Sequence, residues 1–89
     1  MAICYKPHRY NLSFKNLPDD QGGEGRHKCC GCAYEQGYYA GIARSDQVWV
    51  HLNSLPDSQA GFVRHKSPQV AFAEGYRDGV RDSYGSQVL

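Results

Sequence analysis

The chain repeats itself at a spacing of 38 residues, and the two copies align without a gap. A fixed internal period is typical of a structural unit that is used twice. The first copy runs from about residue 10 to 45 and the second from about 48 to 83, within a single domain of residues 1–89. The paired segments are Leu17-Pro18-Asp19 with Leu55-Pro56-Asp57, Arg26-His27-Lys28 with Arg64-His65-Lys66, and Ala33, Gly37 and Gly41 with Ala71, Gly75 and Gly79.

Each copy opens with alternating apolar and polar residues, a pattern that predicts a half-buried strand. A long polar loop follows, and then a helix that starts near Cys29 or Cys30 in the first copy and at Pro68 in the second. We therefore expect an α+β fold of two strand–loop–helix repeats, in which a small antiparallel sheet packs on two closely crossing helices. The alternating apolar residues are Tyr10, Leu12 and Phe14, and Val48, Val50 and Leu52.

Small residues recur at every fourth position of both predicted helices. A glycine inside a helix costs roughly 1 kcal/mol relative to alanine, so four of them need a structural reason. Close approach of two helix backbones is the simplest reason. We expect the helices to cross at Gly37 and Gly41 of one and at Gly75 and Gly79 of the other, near a pseudo-twofold axis.

The net charge of the chain is +1, whereas domains that hold nucleic acid mainly by charge are far more basic. Any such role must depend on a local patch. The chain has no apolar run long enough to cross a bilayer, and residues 1–10 lack the apolar core of a signal peptide. These features predict a cytoplasmic protein. Three of the four cysteines lie within four residues, which suits metal binding or free thiols better than disulfides.

The motif His27-Lys28-Cys29-Cys30-Gly31-Cys32 predicts a metal site, because two thiolates three residues apart can grip one tetrahedral ion. The repeat pairs His27 with His65. The preferred ligand set is therefore His27, Cys29, Cys32 and His65, with zinc as the cofactor. Cys30 and Cys4 are further candidates for the remaining places, and unbound thiols or a redox dithiol are the alternatives.

Both Arg-His-Lys triplets precede a predicted helix start, where added cations are unfavourable. An anion should therefore compensate: the thiolates of the first copy, an acidic side chain such as Asp19 or Asp57, or a phosphate. We predict that a nucleotide or the backbone of RNA or DNA contacts Arg26, Lys28, Arg64 and Lys66.

Trp49 lies on the polar face of the second predicted strand, so it either forms a contact surface for a protein partner or covers the first five residues. Two strands make a marginal sheet, which a homodimer would extend.

The segments Gly37-Tyr38-Tyr39-Ala40-Gly41-Ile42-Ala43-Arg44 and Gly75-Tyr76-Arg77-Asp78-Gly79-Val80-Arg81 resemble the first helix of the ribosome modulation factor family. Members of that family are short bacterial proteins that bind ribosomal RNA and protein. The resemblance covers one helix, which occurs twice, and it implies contact with RNA. The aromatic second half of the family has no counterpart here.

Taken together, these patterns predict a small non-enzymatic binding module, zinc-stabilised, with paired Arg-His-Lys loops on phosphate groups. A zinc-stabilised protein-interaction module without a nucleic-acid role is one alternative. An enzyme that depends on a Cys–His pair is another.

Overall fold

The structure is a computed structural model that describes residues 3–19, 23 and 25–85. Within these ranges two α-helices form the centre of the molecule, and short 3-10 helices lie in the segments around them. Neither α-helix combines the length and the hydropathy that crossing a bilayer requires. The helices are α1 at Cys30–Ile42 and α2 at Pro68–Gly85, and the 3-10 helices are Pro7–Tyr10, Leu12–Phe14 and Leu52–Ser54.

Helix α2 begins where the sequence predicts. The Ser67 hydroxyl accepts a hydrogen bond of 3.3 Å from the Val70 N–H, and Pro68 occupies the first helical position. The helix runs to Gly85, two residues beyond the predicted end. It is therefore the longer of the two helices.

Helix α1 ends in a Schellman motif. The N–H of Ser45 donates to the carbonyl of Ala40 at 2.9 Å, and the N–H of Arg44 donates to that of Gly41 at 3.0 Å. Arg44 has a φ of +50°, a left-handed conformation that usually favours glycine. Its guanidinium carbon lies 3.8 Å from the centre of the Tyr84 ring, which ties the end of α1 to α2.

The two α-helices cross at their glycines, as the spacing predicts. A Cβ on Gly37 would overlap with the carbonyl oxygen of Phe72, and a Cβ on Gly75 would overlap with that of Tyr34. Gly75 occupies the position in the second copy that Gly37 occupies in the first, and Tyr34 likewise corresponds to Phe72. The two contacts are therefore related by the 38-residue repeat, and the crossing is pseudo-twofold symmetric. The same relation holds one turn further along, for Gly41 with Tyr76 and Gly79 with Tyr38.

Tyrosine hydroxyls reinforce the crossing from the side. Tyr34 donates to Asp78 and Tyr38 donates to Asp82, each at 2.6 Å and across 44 residues of chain. Burial and the bond to Asp78 raise the pKa of Tyr34 to about 12. The same bond is the main reason that the pKa of Asp78 lies below its ordinary value.

The predicted antiparallel sheet is wrong: the described residues contain isolated bridges but no strand, so the fold is not α+β. The first alternating segment forms 3-10 turns, because Asn11 Oδ1 accepts a hydrogen bond from the Ser13 N–H at 3.0 Å and so competes with a sheet ladder. Its apolar residues also share no buried face. Phe14 is buried, but Tyr10 and Leu12 are exposed.

The second alternating segment also fails to form a strand. Val48 is exposed, and the chain turns into a 3-10 helix at Leu52–Ser54. The side chain of Gln36 on α1 accepts the His51 N–H at 2.9 Å, which uses a backbone donor that a neighbouring strand would need. This segment therefore packs on α1 through a side chain rather than through a ladder.

Each Leu-Pro-Asp turn holds the start of the other copy's helix. The N–H of Cys29 donates to the carbonyl of Pro56 at 3.0 Å, and the N–H of Ser67 donates to that of Pro18 at 2.9 Å. These two bonds are again related by 38 residues. They bring both Arg-His-Lys triplets to the end of the molecule where α1 and α2 begin.

Candidate metal centre

The first two residues of the candidate site come from the N-terminal segment, which we define as residues 3–15. The backbone N–H of Cys4 donates to the carbonyl of Asp57 at 2.9 Å, and the Gln59 side chain donates to the Cys4 carbonyl at 3.2 Å. The short helix at Pro7–Tyr10 then turns the chain, so that His8 faces back toward Cys4.

The other two residues come from the start of α1. Cys29 is the N-cap residue of this helix, and Cys32 lies three residues later, so both side chains share one side of its first turn. The bond from Cys29 to the Leu-Pro-Asp turn of the second copy fixes where the helix starts. The first copy therefore begins its helix with a thiol where the second copy uses the hydroxyl of Ser67.

The sulfur atoms of Cys4, Cys29 and Cys32 and a ring nitrogen of His8 all lie within 4.8 Å of one another. His8 Nδ1 is 3.6 Å from the Cys4 sulfur, 3.5 Å from that of Cys29 and 3.7 Å from that of Cys32. The sulfurs of Cys4 and Cys32 are 3.5 Å apart. In a tetrahedral zinc site, bond lengths near 2.3 Å to sulfur and 2.0 Å to nitrogen place S and N about 3.5 Å apart and two sulfurs about 3.8 Å apart. The cluster therefore has the size of a tetrahedral coordination shell.

The thiols of the cluster shift one another's pKa. Hydrogen bonding with Cys32 lowers the pKa of Cys29 to about 5 against the opposing effect of burial. The same bond, together with burial, raises the pKa of Cys32 above its ordinary value. A metal ion binds thiolates, so a bound cation would take the place of the protons that these sulfurs share.

A carboxylate behind His8 sets the orientation of its ring. His8 Nε2 lies 3.4 Å from Glu35 Oε1, and Lys6 Nζ lies 2.9 Å from the same oxygen. A proton on Nε2 then faces the carboxylate, which leaves the lone pair of Nδ1 directed at the three sulfurs. Metal-binding histidines commonly have such a carboxylate partner.

Gly31 makes room for the His8 ring. A Cβ on Gly31 would overlap with the ring, and the nearest atoms include Cβ and Nδ1 of His8. The ring therefore packs directly on the backbone of the first turn of α1. A side chain at position 31 would therefore displace the His8 ring.

These four residues could hold a metal ion. Soft thiolates with one imidazole suit zinc rather than calcium or magnesium, which prefer oxygen ligands. Four protein ligands complete a tetrahedral shell, which is typical of structural rather than catalytic zinc sites.

The structure brings Cys29 and Cys32 of the predicted set together, and it adds Cys4, which the sequence offered as a further candidate. His27 and His65 do not belong to this cluster. The sequence interpretation missed His8. The spacing Cys4-x-x-x-His8 ahead of Cys29-x-x-Cys32 was the available signal, because ligands four residues apart can share one side of a helical turn.

His27 and His65 instead meet each other, with ring centres 5.3 Å apart. The His65 N–H donates to the carbonyl of Arg26 at 2.8 Å, and His65 has a left-handed φ of +59°. Partial burial and the charges of Arg26 and Arg64 lower the pKa of His27. We call residues 26–28 and 64–66 the basic loops.

The lysines and arginines of the basic loops have different surroundings. Lys66 lies 2.7 Å from Asp19, and Lys28 lies 3.5 Å from Asp57 and donates to the Leu55 carbonyl. Among the described residues, no carboxylate forms an ion pair with Arg26 or Arg64, and both are exposed. Within the part of the chain that the structure describes, the two arginines are thus the cations of these loops without a carboxylate partner.

Comparisons with known protein families, with curated proteins and with solved structures found no match to this chain. The fold and the site together define a class by geometry: a small two-helix protein with a Cys₃His cluster at the start of α1.

Proposed function

We propose that this protein is a small zinc-stabilised, non-enzymatic binding module. The observation that carries the proposal is the closed cluster of three sulfurs and one nitrogen within 4.8 Å. Such a set leaves no open position for a substrate, and it ties the N-terminal segment to α1. In a chain of this size, a metal compensates for a small hydrophobic core.

Native mass spectrometry of protein purified without chelator tests the metal. The expected mass corresponds to one zinc ion per chain, and a strong chelator is expected to lower the thermal midpoint. Cys32→Ser and His8→Asn should lose the ion. The double variant His27→Asn with His65→Asn is the matched control and should keep it. Zinc retained by His8→Asn but lost by the control would refute the assignment.

We propose further that the basic loops bind phosphate groups of a nucleic acid or nucleotide. Support comes from the two exposed arginines, which form no ion pair with a described carboxylate, and from the contact between the neighbouring His27 and His65 rings. Arg26 and Arg64 then contact phosphate. Lys28 and Lys66, which pair with Asp57 and Asp19, hold the loops in place beside the ligand.

The test is binding of fluorescent RNA and DNA oligonucleotides and of a fluorescent nucleoside diphosphate. Arg26→Ala with Arg64→Ala should weaken binding by at least about tenfold, because each arginine–phosphate contact is a charge-assisted hydrogen bond. Arg77→Ala with Arg81→Ala removes the same charge from α2 and should leave affinity nearly unchanged. Equal losses in both double variants would mean that net charge alone drives binding.

A second candidate function rests on Trp49, which is 61% exposed. An exposed tryptophan favours a protein contact, including one with a second copy of this chain. Sedimentation analysis of the wild type and of Trp49→Ala distinguishes self-association from contact with a different protein. A wild-type dimer that Trp49→Ala dissociates supports self-association through Trp49, and a monomeric wild type excludes the homodimer.

A further inference from the structure

The N-terminal segment presents aromatic side chains to solvent. Tyr5 is 81% exposed and Tyr10 is 68% exposed, as is Leu12 at 67%. Burial of aromatic rings is favourable, so a segment that exposes both Tyr5 and Tyr10 provides surface for a partner.

Cations alternate with these rings. Residues 3–15 contain Lys6, Arg9 and Lys15 and no aspartate or glutamate. The Arg9 guanidinium carbon lies 4.9 Å from the centre of the Tyr10 ring, and the buried Nε of Arg9 has no hydrogen-bond partner. Aromatic rings interleaved with cations suit a partner that carries both flat rings and negative charge.

The segment is fixed in position rather than loose. Cys4 and His8, on either side of Tyr5, belong to the metal cluster. The carbonyl of Arg9 accepts a hydrogen bond of 3.0 Å from Phe62, and the backbone of Gly61 lies directly against Arg9. Rigid rings lose little conformational entropy when a ligand stacks on them.

The segment is also a close neighbour of the basic loops. Asp57 accepts the Cys4 N–H at 2.9 Å, and the next residue, Ser58, donates its N–H to the His27 carbonyl at 2.8 Å. One short stretch of chain thus contacts the N-terminal segment on one side and the first basic loop on the other. A ligand that spans this stretch can reach both.

We infer that the phosphate-bearing ligand is a single-stranded nucleic acid whose bases stack on Tyr5 and Tyr10. This inference rests on the proposed function of the basic loops, which supply the phosphate contacts. Stacking requires unpaired bases, because a duplex conceals the faces of its bases inside the stack. Lys15, which is exposed, adds attraction for the phosphate backbone, whereas Lys6 is paired with Glu35 and Arg9 donates a hydrogen bond to Gln59.

Fluorescence anisotropy with a labelled 12-nucleotide oligouridine, an abasic strand of the same length and a duplex of the same length tests the inference. The wild type should bind oligouridine about tenfold or more tightly than either other probe. Tyr5→Ala with Tyr10→Ala should bind oligouridine only as tightly as the abasic strand, and Tyr5→Phe with Tyr10→Phe should bind like the wild type. Tyr39→Ala removes a 69% exposed tyrosine from α1 and is the matched control. Zinc content and circular dichroism confirm that each variant is folded.

Different results would overturn base stacking on the tyrosines and phosphate binding by the basic loops. If the wild type binds the abasic strand or the duplex as tightly as oligouridine, or if Tyr5→Ala with Tyr10→Ala has no effect, the stacking inference is overturned and phosphate binding stands. If Arg26→Ala with Arg64→Ala leaves all binding unchanged, the role of the basic loops is overturned. If the wild type binds none of the three probes, the stacking inference is overturned, and if it also fails to bind the nucleoside diphosphate, the role of the basic loops is overturned as well.

Discussion

Replacing one interhelical glycine by alanine should destabilise the protein, although alanine is the better helix former. At Gly37 the gain in helix propensity is about 1 kcal/mol. Against it stands a Cβ that overlaps with the carbonyl oxygen of Phe72, a backbone atom of α2 that cannot rotate away. Overpacking of a well-packed core typically costs about 1–3 kcal/mol and sometimes more, and a clash between two backbones belongs at the upper end. The expected net loss for Gly37→Ala is about 2 kcal/mol.

The pseudo-twofold symmetry of the crossing predicts equal losses of stability at equivalent glycines. A Cβ on Gly75 would overlap with the carbonyl oxygen of Tyr34 as a Cβ on Gly37 would with that of Phe72, so Gly75→Ala should lower the free energy of unfolding by the same amount within about 0.5 kcal/mol. The double variant should cost less than the sum, because helices already separated by one methyl group accommodate the second more easily.

Urea and thermal unfolding of zinc-saturated protein, followed by circular dichroism, measure these effects. A loss of 2 kcal/mol corresponds to a fall of roughly 10 °C in the midpoint for a domain of this size. Gly85→Ala is the matched control, because a Cβ there meets nothing within 4 Å. It should leave the midpoint unchanged or raise it slightly. Equal stability of Gly37→Ala and Gly85→Ala would refute the argument from close backbone approach.

Three further predictions concern the metal cluster and the tyrosine bonds. Gly31→Ala should weaken zinc binding by at least about tenfold in chelator competition, because the added Cβ displaces the His8 ring, and unchanged affinity would contradict the packing described. Glu35→Gln should weaken zinc binding by about tenfold through the orientation of His8, whereas a larger effect on folding than on affinity would indicate a purely structural role. The neutral Tyr34 hydroxyl stabilises the fold, so its contribution should be complete below pH 10 and lost as the pH rises through about 12. Tyr34→Phe should abolish that loss and raise the pKa of Asp78, and a carboxyl NMR titration that finds this pKa unchanged would contradict the hydrogen bond.

The parts of the fold that the sequence predicts correctly depend on local rules. The start of α2 follows from Ser67 and Pro68, whose capping chemistry acts within one helical turn. The crossing of the helices follows from the cost of glycine in a helix, which only close approach offsets. Such features can be predicted because the residues involved lie near one another in the sequence or repeat at one spacing.

The parts that the sequence prediction missed depend on competition between local patterns and distant contacts. Alternation at Tyr10 and Leu12 predicted a strand, but side-chain hydrogen bonds of Asn11 and anchoring of the segment beside Asp57 produce turns instead. The predicted ligand set did not include His8, because its partners Cys29 and Cys32 lie more than 20 residues away in the sequence. The repeat also favoured His27 and His65 as ligands, since it implied a symmetric site, whereas the cluster combines Cys29 and Cys32 of the first copy with Cys4 and His8, which precede both copies.

The crossing of α1 and α2 has a consequence for how fast the chain folds. Helical proteins usually fold quickly, because most of their contacts join residues close in sequence. Here the bonds that Tyr34 and Tyr38 donate to α2 span 44 residues of an 89-residue chain. Closing that loop comes before any interhelical contact can form, because the glycine face of each helix packs on the other helix. The protein should therefore fold at the rate of a mixed α/β domain rather than at that of a helical bundle.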